Sequence, residues 1–412
     1  MSTPHAVSPE KRLFLKEREL NALLEITQAI NLDPTEDSLY KIFQFTLLGQ
    51  LNIRRLVLYV KEENNWHCVV SFGAGLPDFR RIPLPEVVEQ SCTGSPCAVA
   101  SLKLSREWEK LEMVIPVVTN GEVLAYVLIG NVHEDYVNEE ATKFLETLSN
   151  ILIGAIENRR LARQRVEAAA IRKEIEIAQE VQTMLFPRNL PNDSHVAVHA
   201  SYVPHTAIGG DYYDVVPIDA QRFLFCVADV SGKGVPASLL MSNFQAGLRT
   251  LLRQQAELGT VVSELNNLIY RNAVSEKFIT AFFGVYNRAT RELEYVNAGH
   301  NSAILLSDDN EHQLLSEGTT MLGIFEELPF LHTHRVQVPL RSLLLTYTDG
   351  LTEVFDEAEG EFGEEGVLAF LRQNKYLPLP VLHRELLNAI KEFNTKGASF
   401  SDDITILSCR FK

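Results

Sequence analysis

The sequence predicts an α+β chain of two packed units joined by a long helix, and three observations carry that expectation. The first stretch sets strand patterns between helical ones. A middle stretch, residues 156–186, is rich in Arg, Glu, Ala and Gln, all strong helix formers. Beyond residue 192, runs of short apolar strands come with helices clustered between them, the pattern of two packed sheets flanked by helices. At about 150 residues per domain, a chain of 412 residues has room for two or three units.

In chain order, residues 1–20 carry prolines and a mixed-charge run and read as a tail with no apolar stretch of signal-peptide length. Leu23, Leu24, Ile26, Ala29 and Ile30 then fall at helical spacing, and Leu39, Ile42, Phe43, Phe45 and Leu47 give a second helix. Residues 54–60 and 66–72 are β-branched and aromatic strands. Residues 114–118 and 123–129 form a hairpin, because Asn120-Gly121 between them supplies the positive φ of a type I′ turn. Residues 138–160 return to helix.

Across residues 21–158 this segment resembles a GAF domain, chiefly in its opening helix LLEITQAIN and its hairpin IPVVTNGEVLAYVLIG. The resemblance implies an α/β sensor domain. It chooses no ligand, since GAF domains bind cyclic nucleotides, haem, bilins or nothing. Cys92 and Cys97 have the spacing of a metal half-site, but no second Cys/His pair follows, so they read as small hydrophobes. His67-Cys68 lies within a strand and reads as structural.

Residues 159–187 are the connector. Leu161, Ala168, Ile171, Ile175, Ala178 and Leu185 follow a 3–4 spacing, with Gln164 and Gln182 as polar interruptions of the same seam. Phe186-Pro187 ends the helix, because the residue before proline avoids helical backbone. The stretch is either an amphipathic helix packed on its own domain or a parallel coiled coil. The second alternative makes the chain a homodimer through residues 156–186.

From residue 188 to 412 the strands are expected at 195–202, 223–230, 279–287, 292–297, 303–306 and 343–347, with helices at 236–254, 260–273, 364–374 and 379–394. Four acidic clusters lie where a strand meets a turn. They are GGDYYD around Asp211 and Asp214, ADVSGKG around Asp229, YTDGLTE around Asp349, and SDD with Asp402 and Asp403. Asp229 and Asp349 follow almost wholly apolar strands that contain no Lys or Arg. A carboxylate in such a place is costly unless it is paired or binds a metal. Convergent oxygen ligands without convergent bases suit a hard divalent cation.

Charge and composition narrow the class. Thirty-eight basic against fifty-four acidic residues leave a net charge of −16, which repels polyanions and argues against nucleic acid as a partner. Five scattered cysteines fit a reducing cytoplasm rather than a disulfide framework. No window approaches the roughly 18 apolar residues of a membrane helix, so a cytoplasmic protein is expected.

The stretches EIEIAQEVQTMLFP, GGDYYD, VADVSGKGVPASLLMS, FITAFFGVYN, YVNAGHN, MLGI, LLLTYTDGLTE, FGEEGV and SDDITIL follow one another from residue 174 onward. In that order they closely resemble the SpoIIE/RsbU-type branch of the PPM (type 2C-like) protein serine/threonine phosphatases. The resemblance implies a β-sandwich flanked by helices with two Mn²⁺ or Mg²⁺ ions at the edge between the sheets. Carried over, Asp211, Asp229, Asp349 and Asp402 would be metal ligands, with the Val230 carbonyl as a further contact. They would act through a water bridging the metals, and Asp214 and Asp403 would assist.

Departures matter. Where animal and plant relatives carry a histidine two residues after the second aspartate, this chain has Ser231, which leaves the general acid unassigned. Lys233 lies in a glycine-flanked loop and is a candidate for phosphate binding. His300 reads as a strand-end turn residue, and Cys226 as core. Arg341-Ser342 replaces the family's usual Gly-Asp in a distal turn.

The expected protein is a signalling phosphatase whose substrate is a phosphorylated STAS-type anti-sigma-factor antagonist, controlled by the GAF-like domain. A catalytically silent partner-binding pseudophosphatase and a small-nucleotide phosphohydrolase are the alternatives.

Overall fold

A computed structural model of the chain describes residues 9–32, 35–62, 65–119, 121–131, 139–254, 257–272, 277–356, 360–394, 400 and 402–412. The chain divides into two compact units, Met1–Ala169 and Ala170–Lys412. Asn120 of the expected turn and residues 1–8 of the expected tail lie outside the described residues.

The first unit opens with α1 (Pro9–Asn31) and α2 (Glu36–Leu51). Residues 9–20, expected as tail, are therefore helical; Pro9 occupies the first helical position, which needs no N–H donor. Thr35 caps α2 by accepting from the Ser38 N–H at 3.3 Å. There follow β1 (Arg55–Glu62), β2 (Asn65–Phe72), the short α3 (Glu86–Ser91), β3 (Cys97–Ala98), β4 (Met113–Thr119) and β5 (Glu122–Gly130). These strands form an antiparallel sheet in the order β2-β1-β5-β4-β3. Alternation along β1 supplies both faces. Leu56, Leu58 and Val60 meet the helices in one core, and Val57 and Tyr59 meet Phe79, Val88, Cys92 and Trp108 in the other.

The helix α4 (Glu139–Thr183) runs 45 residues without a break. Leu145, Leu148, Leu152, Ile153 and Ile156 anchor its first part in the core. Residues 161–174, by contrast, are all exposed in the single chain.

The second unit contains β6 (Val196–Val203), β7 (Tyr212–Pro217), β8 (Arg222–Val230), α5 (Val235–Arg253) and α6 (Leu258–Asn272). It continues with β9 (Ile279–Asn287), β10 (Glu292–Ala298), β11 (Ala303–Leu306), β12 (His312–Leu315), β13 (Gly318–Thr319), β14 (His334–Gln337) and β15 (Leu343–Tyr347). The last elements are α7 (Gly363–Asn374), α8 (Leu379–Phe393) and β16 (Ile404–Phe411). One sheet has the order β13-β10-β9-β8-β7 with β14 also on β10; the other runs β12-β11-β15-β16-β6.

The sheets pack face to face, and helices cover both outer faces. Along β8, Phe223, Phe225 and Val227 point into the space between the sheets, while Leu224, Cys226, Ala228 and Val230 point at α5 and α6. That is why the run is apolar without alternation: both faces are buried. On the other sheet, Leu407, Cys409 and Phe411 face inward, and Ile404 and Ile406 face α7 and α8. The mixed α+β sandwich is as expected. Strands β7, β12, β13, β14 and β16 were not among the expected ones.

Candidate functional site

Strand register assembles the acidic edge. In the first sheet Tyr212 pairs with Ala228, so one step further Asp211 lies across from Asp229. In the second sheet Tyr347 pairs with Ile406, so Asp349 leaves β15 at the end where Asp402 and Asp403 lead into β16. The two sheets meet there. The hydroxyls of Thr348 and Thr405, both from the second sheet, donate to Asp211 Oδ2 at 2.8 and 2.6 Å. Sequence reasoning passed over these threonines, although both lie inside motifs it singled out. A hydroxyl within an apolar strand beside an acidic turn was the available signal.

The carboxylates crowd one another. Burial, then the neighbouring charge of Asp229, pushes Asp211 well above the usual carboxylate range, and the two threonine hydroxyls only partly offset this. Burial, then Asp349 and Asp402, pushes Asp229 up to about 7. Asp349 rises through burial and then Asp402. Desolvation and like charges thus act together on one group of acids, which makes this edge the candidate site.

Asp403 organises the loop that carries Asp211. Its Oδ1 accepts from the His205 N–H at 2.7 Å and its Oδ2 from the Gly210 N–H at 2.8 Å. A Cβ at Gly209 would collide with the Tyr202 hydroxyl and Asp403 Oδ2, and one at Gly210 would come within 2.8 Å of the Val230 carbonyl. Close approach therefore requires glycine at both positions.

Other expected residues have different employment. Asp214, expected to assist at the metal site, is instead fully buried and saturated. Arg249 on α5 donates to both its oxygens at 2.8 and 3.0 Å, and the Tyr212 hydroxyl donates at 2.6 Å. It faces α5 because it shares the strand face of Tyr212, and it has no free lone pair directed at the acidic edge. Lys233 Nζ lies 3.0 Å from Asp402 Oδ2, with both side chains nearly half exposed. Such a pair is worth about 0–1 kcal/mol and yields readily to a competitor.

Ser231 Oγ accepts from the Phe278 N–H at 2.9 Å, so it serves the backbone. His300 Nδ1 pairs with Thr280 Oγ1 at 2.9 Å, and burial lowers its pKa to about 4, which keeps the ring neutral. Cys226 is buried with its thiol pushed well up by desolvation. Burial also pushes Cys68 and Cys92 up to about 12. None of these thiols is an activated nucleophile.

The acidic edge fits divalent cations in kind. Its donors are all carboxylate or carbonyl oxygens, and burial with like charge raises Asp211, Asp229 and Asp349. In spacing, no three acidic, histidine or cysteine side chains among the described residues are gathered tightly enough to hold an ion as they stand. Asp402 would have to leave Lys233 to take part.

The second unit is similar to known proteins. Residues 219–412 match the family described as Stage II sporulation protein E (SpoIIE), a span that includes Asp229, Asp349 and Asp402 but not Asp211. The chain is 30% identical over 184 residues to the phosphoserine phosphatase RsbU of Bacillus subtilis (strain 168), covering 44% of this chain and 54% of that protein. It is 26% identical over 186 residues to the phosphoserine phosphatase RsbP of the same organism, covering 44% and 46%. The chain thus spans about half the length of these curated relatives. Among solved structures, the SiaA-PP2C domain of Pseudomonas aeruginosa superposes with a TM-score of 0.53 at 22% identity, covering 60% of this chain and 99% of that one. That likeness establishes a shared fold. The C-terminal unit is therefore similar to protein serine/threonine phosphatases of the SpoIIE and PP2C type.

Proposed function

We propose that the C-terminal unit is a metal-dependent phosphatase that removes phosphate from phosphoserine or phosphothreonine on a partner protein. The observation that supports this most is the meeting of Asp211, Asp229, Asp349 and Asp402 at one sandwich edge, where burial and mutual repulsion raise the first three. These four, with the Val230 carbonyl, would hold two Mn²⁺ or Mg²⁺ ions. Bound there, divalent cations supply Lewis-acid activation of water and neutralise the phosphate charge.

The chain's own residues do the rest. Thr348 and Thr405 fix the Asp211 carboxylate, and Asp403 fixes the loop before it. Lys233, released from Asp402, can reach a phosphate oxygen. Ser231 does not protonate the leaving group, because its hydroxyl is a weak acid already committed to Phe278. No cysteine or histidine nucleophile is needed.

The N-terminal unit, a five-stranded sheet with helices, would be the GAF-like sensor. Leu161, Ala168 and Ile171, exposed along the one apolar seam of α4, support pairing of two copies through residues 156–186. Ile171→Asp with Ile175→Asp should give monomers by sedimentation and shift basal activity several-fold; a wild-type monomer at tens of micromolar would defeat the pairing. A STAS-type anti-sigma-factor antagonist is the proposed substrate. The free cysteines and the lack of any described helix long and apolar enough to cross a membrane accord with a cytoplasmic setting.

The Lys233–Asp402 pair favours the rival reading, a silent partner-binding module, because it leaves one acid engaged. An assay with added Mn²⁺ against a phosphoserine protein, p-nitrophenyl phosphate and a cyclic nucleotide separates the readings. Turnover of the phosphoprotein supports the proposal; turnover of none of them supports the silent module.

A further inference from the structure

The peptide unit between Gly209 and Gly210 is gripped at both ends. Its N–H donates to Asp403 Oδ2 at 2.8 Å, and its carbonyl accepts from Gln182 Nε2 at 2.8 Å. Gln182 lies in the last turn of α4 and is 6% exposed. A carbonyl can only accept, so the orientation of the Gln182 amide is settled by its partner. Directly after this turn Phe186 packs its ring against Tyr202, Tyr212 and Tyr213 at centroid distances of 5.1, 5.7 and 4.9 Å. The helix end is therefore seated on the residues that flank the loop.

The peptide so held is the one that leads into Asp211. A glutamine on the apolar seam of a helix is costly unless its amide is used, and here its use is this carbonyl. We propose that Gln182 is a positioning residue for the acidic edge. It sets the Gly209–Gly210 peptide, and through it the Asp211 carboxylate and the close approach of Gly210 to the Val230 carbonyl. It touches neither phosphate nor cation itself. A turn or slide of the end of α4 would change the Gln182 contact first, so the helix end is linked by one amide to the affinity of the edge for divalent cations.

This inference rests on the reading of the edge as a cation site, and the test separates the two. Mn²⁺ binding to the full chain is measured by titration calorimetry for the wild type, Gln182→Met, which keeps the length but has no donor, and Glu180→Ala, an exposed control on the opposite helix face. Thermal unfolding is followed without added metal. Gln182→Met should weaken Mn²⁺ binding at least about fivefold, while the unpaired Gly209 carbonyl lowers the unfolding temperature by only about 2–4 °C, and Glu180→Ala should leave binding unchanged. If Gln182→Met does not fold, Gln182→Asn, with the same amide on a shorter arm, carries the same comparison. Unchanged Mn²⁺ affinity in the variant, or a large stability loss with unchanged affinity, overturns the positioning role. Failure of the wild type to bind Mn²⁺ overturns the cation site itself.

Discussion

Asp211 and Asp214 are three residues apart, and 2% and 0% exposed, yet they are held by opposite means. Asp214 has a guanidinium beside it and needs nothing from outside the chain. Asp211 has two hydroxyls, which hold it in place, and a neighbouring carboxylate, and none of them supplies a positive charge. Burial alone does not distinguish a structural acid from a functional one. What distinguishes them is whether the chain supplies the countercharge.

The contrast is open to direct attack, beginning with the pair. Arg249→Leu strands Asp214 without its cation, and a loss of about 3–5 kcal/mol in urea unfolding is expected. Adding Asp214→Asn should recover much of it, since no buried charge then remains. A loss under about 1 kcal/mol for the single variant would show that Asp214 does not depend on Arg249.

At the acidic edge the expectation reverses. Asp229→Asn and Asp349→Asn should each lower phosphatase activity at least about 10²-fold at saturating Mn²⁺, while stability without metal holds or rises because a repelling charge is gone. Near-normal turnover in Asp349→Asn would remove that residue from the ligand set.

A third buried group sharpens the rule from the other side. His383 sits between Ser201 Oγ and Ser408 Oγ at 2.9 and 2.8 Å, and burial, then His199, lowers its pKa to about 3. Here too the partners are hydroxyls, but they serve a neutral ring. The folded state resists protonation that the unfolded chain accepts near pH 6.5. The stabilisation is thus complete above that pH and is lost progressively as the pH falls from about 6.5 toward 3. Between pH 6.5 and 5 the loss from His383 should be about 2 kcal/mol. Unfolding free energies from denaturant curves, plotted against pH for wild type and His383→Leu, should diverge in slope over that window; parallel plots would mean the ring binds protons alike in the folded and unfolded chain.

The smallest effect belongs to Ser231. Ser231→Ala should cost about 1 kcal/mol of stability through the unpaired Phe278 N–H and leave most of kcat. A drop as large as that of Asp229→Asn would place the hydroxyl in the reaction.

Which parts of this were legible in the sequence follows from range. The run 223–228 announced a strand buried on both faces, and Asp229 at its end stood out against it. The expected boundaries of α5 and α6 fell within two residues of the observed ones, because their apolar spacing is local. The partner of Asp214 could not be read locally, because Arg249 lies 35 residues on, on a helix whose facing is decided by packing. Thr405 meets Asp211 across 194 residues, and no local pattern encodes that. Strand β16 went unread because Thr405, Ser408 and Arg410 interrupt its apolar pattern, although the first two are buried, Thr405 against Asp211 and Ser408 against His383 on α8. At the start of the chain, the run KRLFLKEREL reads as solvated tail, whereas in the fold its good helix formers continue α1 back to Pro9.

The glycines at 209 and 210 differ from those that relieve a turn, for neither has a positive φ. Replacing a glycine of ordinary backbone conformation by alanine usually stabilises a protein by about 0.4–1 kcal/mol, because the unfolded chain loses freedom. At these two positions that gain would be overwhelmed, since the methyl has nowhere to go. Entropy-based thermostabilisation of this chain therefore has to pass over the pair, and a library that admits alanine there would select against itself: what is inherited at 209 and 210 is an empty volume.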